Sequence, residues 1–175
     1  MRRIRKKFKK PRSPWNINKI KEENKLLSEY GLRRKKEMLI AQDVLRRYRQ
    51  RARELIAEKD KEKERILIEK MARIGLLNKK ESTLDDVLAL GITTVLDRRL
   101  QTLVFRKAIA KTPMQARQLI VHGHVSVAGR RMRFPSYMVP VEEERKITLH
   151  MPEKNAKVQP IEENEGVKRH LPTKE

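Results

Sequence analysis

Lys and Arg contribute 44 of the 175 residues against 23 Asp and Glu, and the resulting charge of +21 opposes compaction unless a polyanion neutralises it. With 38% hydrophobic and 4% aromatic residues, the chain has material for small folded units rather than one large core. The absence of cysteine excludes disulfides and thiolate zinc sites and leaves a cytoplasmic reading, and with His122 and His124 lacking a third ligand nearby no metal and no cofactor are expected.

Nucleic acid is the expected polyanion, because each Lys or Arg set against a phosphate ladder releases counterions. A membrane partner is not expected. No run of about 18 apolar residues is present to span a bilayer, and Met1-Arg2-Arg3-Ile4-Arg5 lacks the apolar stretch of a signal peptide.

The charge is unevenly placed. Residues 1–60 hold 21 basic and 8 acidic side chains, residues 61–96 hold 7 and 6, and 98–141 hold nine basic and no acidic ones. The final 25 residues balance at five against five.

Residues 1–16 read as a basic extension. Arg2, Arg3, Arg5, Lys6, Lys7, Lys9, Lys10 and Arg12 cannot fold alone and are candidate RNA contacts. A helical region is expected over 17–95. Ile20, Leu26, Leu27 and Tyr30 keep helical spacing, with Gly31 as the stop. A longer helix is predicted from Arg34 to Lys59, where Ala41, Leu45, Tyr48, Ala52 and Leu55 form one apolar stripe. Arg46, Arg49 and Arg53 fall on one flank of that stripe, Arg47 and Arg51 on the other. Such a helix suits a groove in RNA, and Arg33, Arg34, Lys35 and Lys36 at its start join the candidate contacts. Residues 58–74 mix acids and bases around Ile66, Leu67, Met71 and Ile74, which predicts a packing helix ended by Gly75. Ser82 to Asp85 resembles a capping box opening a short helix to Leu90.

Residues 96–150 are expected to form a small domain. Leu96, Leu100, Leu103 and Val104 mark one helix with Arg99 and Arg106 on its outer side. Thr112-Pro113-Met114-Gln115 supplies an N-cap, a first-turn proline and a capping-box Gln for a second helix. Met114, Leu119 and Ile120 are expected to face inward, Arg117 and Gln118 outward, with His122-Gly123 at the end. The period then changes to 2. Val125 and Val127 lead through an Ala128-Gly129 turn into Arg130 and Arg131, and Met138–Val139 and Ile147–Leu149 are two further strands. Glu142 to Glu144 reads as a surface turn. Arg99, Arg106 and Arg117 are expected to share one outer surface, beside His122, His124 and the Arg130-Arg131 hairpin, because the guanidinium fork suits phosphate. Arg117→Ala is expected to weaken RNA binding without unfolding the chain. Residues 151–175 read as a flexible tail.

The fold class is therefore α+β: a basic N-terminal helical region wrapped with a domain of two short helices and a small antiparallel sheet. Seven aromatic residues are too few for base stacking to dominate, so phosphate and shape recognition is expected, with Trp15 and Tyr137 the only stacking candidates.

The stretch from Leu96 onward, above all QARQLIVHGHVSVAGRR followed by PSY, resembles the RNA-binding domain of the "S four" family of small-subunit ribosomal proteins. Tyr30-Gly31-Leu32 with the following RRKKE resembles the N-terminal region of that family, and Pro14-Trp15 and the STLDDVL segment resemble its archaeal and eukaryotic branch. The resemblance covers roughly residues 12–150. It implies a structural constituent of the small subunit that binds a multi-helix junction of ribosomal RNA. It also implies nucleation of body assembly, a place near the messenger RNA entry path with a bearing on translational accuracy, and neighbouring small-subunit proteins as partners. Two positions depart from the pattern: Ala128 stands where many members have Asn, and Pro113 where many have Arg. Carriers of this domain include enzymes, but no Gly-rich phosphate loop or βαβ pattern is present upstream, so no catalysis is expected. A free-standing RNA chaperone is the other reading.

Overall fold

The computed structural model describes residues 8–9, 11–77 and 82–150. The expectations for residues 1–7, Lys10 and the tail from 151 lie outside that set.

The architecture is α+β. Helix α1 (Ile17–Glu29) begins where the Asn16 side chain accepts from the backbone N–H groups of Asn18 and Lys19. It ends at Tyr30, and Gly31 takes φ +57°. Helix α2 (Lys35–Glu58) is the longest element. Its stripe lies as read: Ala41, Leu45, Ala52 and Leu55 are buried and Tyr48 is half-buried. Helix α3 (Lys61–Ile74) starts on the Asp60 side chain and stops at Gly75, φ +81°. Leu67 and Met71 face the core, but Ile66 is exposed, so the apolar face of α3 is narrower than its sequence implies.

Helix α4 (Leu84–Ala89) is opened by a capping box between Thr83 and Asp86, one residue later than the Ser82–Asp85 pairing expected. Gly91 then serves as the N-cap of α5 (Ile92–Asp97). The single helix expected across 96–104 is in fact two, α5 and α6 (Leu100–Arg106). The break at Arg98-Arg99 has a non-local cause. Arg99 forms an antiparallel bridge with Met138, the Leu100 N–H donates to the Tyr137 carbonyl, and the Val139 N–H donates to the Arg98 carbonyl. Met138–Val139 is correspondingly an isolated bridge rather than a strand.

Helix α7 (Pro113–Val121) opens on the Thr112 hydroxyl, which accepts from the Gln115 N–H. The Gln115 carboxamide reaches the Lys111 N–H instead of closing the box on Thr112. Ala116 and Ile120 are buried and Leu119 half-buried, whereas Met114 is exposed, contrary to its inward assignment. Strands β1 (Val125–Val127), β2 (Arg130–Arg131) and β3 (Ile147–Leu149) form an antiparallel sheet in the order β2-β1-β3. Ala128 and Gly129 both take positive φ, 49° and 79°, as a two-residue hairpin turn of this hand requires. Glu142 to Glu144, read as a surface turn, forms a single helical turn with no buried residue, α8 (Val141–Glu144).

Two cores result. The first is built on α2 with α3, α4 and α5 and runs from Leu32 to Leu96. The second holds Leu100, Val104, Ala116, Ile120, Val125, Val139 and Ile147. The chain crosses from one core to the other between Leu96 and Leu100.

Candidate nucleic-acid interface

The cations of α2 sit much as its stripe dictates. Most burial on α2 follows one line, with Leu39 and Asp43 buried away from it, and the residues beside that line stand at its edges. Arg46, Arg49 and Arg53 line one groove with Gln42, Gln50 and Ile92. Arg47 and Arg51 line another with Lys63, Ile66 and Lys70 of α3. Each groove thus gathers several cationic side chains. Arg51 and Arg53 are exposed and make no ion pair among the described residues. Three arginines are partly engaged. Buried Asp43 accepts from Arg47 at 2.8 Å and from Arg46 at 3.4 Å, and the Arg49 guanidinium donates to the Leu90 carbonyl, holding α2 to the end of α4. Arg46 and Arg47 stay largely exposed despite those pairs.

At the start of α2, Arg33, Arg34 and Lys36 are exposed, and the Lys36 ammonium lies 5.9 Å from the centre of the Phe8 ring. That contact brings the end of the basic extension to the same corner. Lys35 instead pairs with buried Glu23 of α1. Lys9 and Arg12 are exposed.

The second module departs from expectation. Arg99, assigned to an outer surface, is 4% exposed and donates to Glu37 Oε2 at 2.8 Å. Arg117 is half-buried and grips the same carboxylate with both ends of its fork, at 2.9 Å to Oε1 and 3.0 Å to Oε2. Arg106 is exposed but paired with Asp97, which also accepts from the Tyr30 hydroxyl at 2.9 Å. The surface expected to be shared by Arg99, Arg106 and Arg117 is therefore replaced by an ion-pair seam between the two modules. A charge buried this far needs a counter-charge, and the first helix bundle supplies it.

Sequence reading missed Glu37 and Gln101. The Gln101 carboxamide is buried, and its NH2 group lies among the carbonyls of Gly31 at 2.9 Å, Pro113 at 3.0 Å and Tyr30 at 3.2 Å, with two hydrogens to share between them. The one available signal was Glu37 itself, an acid closing the run RRKK. Burial works to raise the Glu37 pKa, but the hydrogen bonds and charges of Arg117 and Arg99 outweigh it and hold the carboxyl below the usual range. Arg98 is structural as well, donating to the carbonyls of Ile74 and Val139 and pairing with Glu144 at 2.7 Å.

The end of α7 and the β1–β2 hairpin keep the exposure expected of them. Gln118, His122, Arg130 and Arg131 are exposed and His124 is half-buried. The His122 and His124 rings stack with centroids 6.3 Å apart, and Arg131 meets the His150 ring at 2.7 Å. Arg133, Arg145 and Lys146 add exposed positive charge to this module. Trp15 is 86% exposed, whereas Tyr137 packs on the second core and donates its hydroxyl to Glu143, which argues against stacking by Tyr137. Among the described residues no group of His, Asp or Glu could hold a metal, and no helix is long and apolar enough to cross a membrane.

The model of the S4 domain matches residues 98–144, the segment holding most of the second core. A small ribosomal subunit protein uS4 from Methanococcus aeolicus is 46% identical over 154 residues, covering 86% of each chain. Its counterpart in Korarchaeum cryptofilum is 46% identical over 84% of this chain and 89% of that one. The Saccharolobus islandicus protein is 43% identical over 86% and 84%. The chain belongs to the uS4 family. The match runs through both modules, so membership rests on more than the shared S4 domain, and the family is structural rather than enzymatic.

Proposed function

We propose that this protein is a structural constituent of the small ribosomal subunit that binds ribosomal RNA directly, without catalysis. The observation that carries the reading is a family match spanning both modules, in a chain whose exposed cations gather on α2 and on the β1–β2 hairpin. The RNA-facing set comprises the basic extension with Arg12, Arg33, Arg34, Lys36, both arginine flanks of α2, and Gln118, His122, His124, Arg130 and Arg131. Lys35 and Arg106, each in an ion pair, stand at the margin of that set. Arg99 is left out because a buried guanidinium cannot reach phosphate, and Arg117 contributes chiefly through Glu37.

Two cationic surfaces on separate modules suit a folded RNA that presents phosphates from more than one helix, such as a multi-helix junction. Arginine forks and histidine donors would read backbone and shape rather than sequence. Binding of that kind favours early association during assembly of the subunit body. In the assembled particle the protein would meet neighbouring small-subunit proteins and lie beside the messenger RNA entry path, with a bearing on accuracy.

The test is binding of the full chain to the isolated 5′ domain of small-subunit ribosomal RNA, against unrelated structured RNA of equal length, at two salt concentrations. Preference for the ribosomal fragment that survives the higher salt is expected. Equal binding to both, lost together as salt rises, would leave a generic polycation and favour the RNA-chaperone reading.

A further inference from the structure

Among four consecutive cations at the start of α2, an acid weakens attraction to any RNA, so Glu37 calls for a different explanation. Both its oxygens are engaged: Oε1 by Arg117, Oε2 by Arg99 and Arg117. All three side chains are spent inside the protein, linking α2 to α6 and α7. Beside them the Gln101 carboxamide nitrogen of α6 reaches the Gly31 carbonyl at 2.9 Å across the same seam. Beside it, α2 and the second module leave a cleft of about 360 Å³ lined largely by Ile40, Val44, Val95, Pro135 and Met138. Apolar contact is non-directional, and here it is also incomplete. The angle between the modules therefore falls to the directional bonds.

We propose that Glu37 is a positioning residue for RNA recognition: by gripping Arg99 and Arg117 it fixes the α2 cationic face and the β1–β2 hairpin at the one angle that lets a single folded RNA engage both. This rests on the RNA-binding reading above. Two linked surfaces gain over one only while the linkage permits simultaneous engagement, and the gain vanishes when geometry forbids it. Removing a negative charge should tighten binding to any RNA by relieving repulsion from its phosphates. Loss of positioning instead weakens binding to the correct RNA alone.

The experiment uses the full chain as wild type, Glu37→Gln and Glu37→Asp. Dissociation constants are measured for the 5′ domain of small-subunit ribosomal RNA and for unrelated structured RNA of equal length, at one salt concentration, with folding followed by circular dichroism. Glu37→Gln is expected to weaken binding to the ribosomal fragment by about tenfold or more, while the unrelated RNA binds as before or more tightly. Glu37→Asp keeps the charge but withdraws the carboxylate by one methylene. It is expected to lose affinity for the ribosomal fragment alone, and it decides the matter if the Gln variant does not fold. Equal shifts for both RNAs, or tightening of both by Glu37→Gln, would overturn the proposal. A wild type that does not discriminate would instead sink the RNA-binding reading on which it rests.

Discussion

Helix α2 and the segment from Arg98 to Arg117 put arginine to opposite uses. On α2, Arg51 and Arg53 stand in solvent at the lips of grooves, and Arg46 and Arg47 stay exposed although Asp43 touches them. In the second module Arg98, Arg99, Arg106 and Arg117 each meet a carboxylate. Yet the second module is the one whose sequence runs from 98 to 141 without an acid. Its partners lie just outside that run, at Asp97 and Glu144, or in the other module at Glu37. An acid-free stretch of sequence therefore says little about whether its cations are free, because ion pairs in a folded chain are chosen by space.

The largest break in this contrast should come from Gly31→Ala. The left-handed φ of Gly31 and a Cβ that would lie 2.7 Å from the Cβ of Pro113 both oppose a side chain there. Strain and overpacking together should cost about 2–3 kcal/mol, read as a lower denaturation midpoint, with the seam opened before either core. Arg117→Ala comes next. Stripping a half-buried carboxylate of its bidentate partner should cost about 1.5–3 kcal/mol, so this variant loses stability as well as binding. Arg53→Ala on α2 should instead change stability by less than about 0.5 kcal/mol and lower the salt slope of RNA binding by about one. If Arg117→Ala melted like the wild type, the inward reading of the second module would fail.

Acid sharpens the same comparison. Burial raises the Glu37 pKa, but its arginine hydrogen bonds depress it further, so the folded value lies below the 4.5 of a free Glu. The seam's contribution is therefore fully present above about pH 4.5 and is lost as pH falls through the folded pKa. Thermal melts below that pH should show a steeper loss for wild type than for Glu37→Gln, which has no proton to gain at this site. The hairpin offers a small gain instead of a loss. Ala128 holds a left-handed φ of 49°, and Ala128→Asn should stabilise by about 0.5–1 kcal/mol, checked by the denaturation midpoint, without altering the seam.

What could be read in advance was local. The Gly31 and Gly75 stops, the α2 stripe, the Thr112-Pro113 start and the Ala128-Gly129 turn each rest on residues within a few positions of one another. What could not be read depended on distant chain. Arg98-Arg99 breaks a continuous apolar pattern because Tyr137 and Met138 compete for its backbone. Ile66 and Met114 keep helical spacing yet meet no neighbour that covers them. Within the candidate site, the exposed cations of α2 followed from its period, whereas the fates of Arg99 and Arg117 hung on Glu37, which belongs to another core.

The separation between Glu37 and Arg117, 80 positions along the chain, also sets a schedule. A protein is made from its N-terminus, and its domains fold largely in that order. Helices α1 and α2 emerge with their cations already displayed, while the carboxylate that will lock the second module has nothing yet to hold. The angle between the two modules is therefore fixed only once α7 has been synthesised.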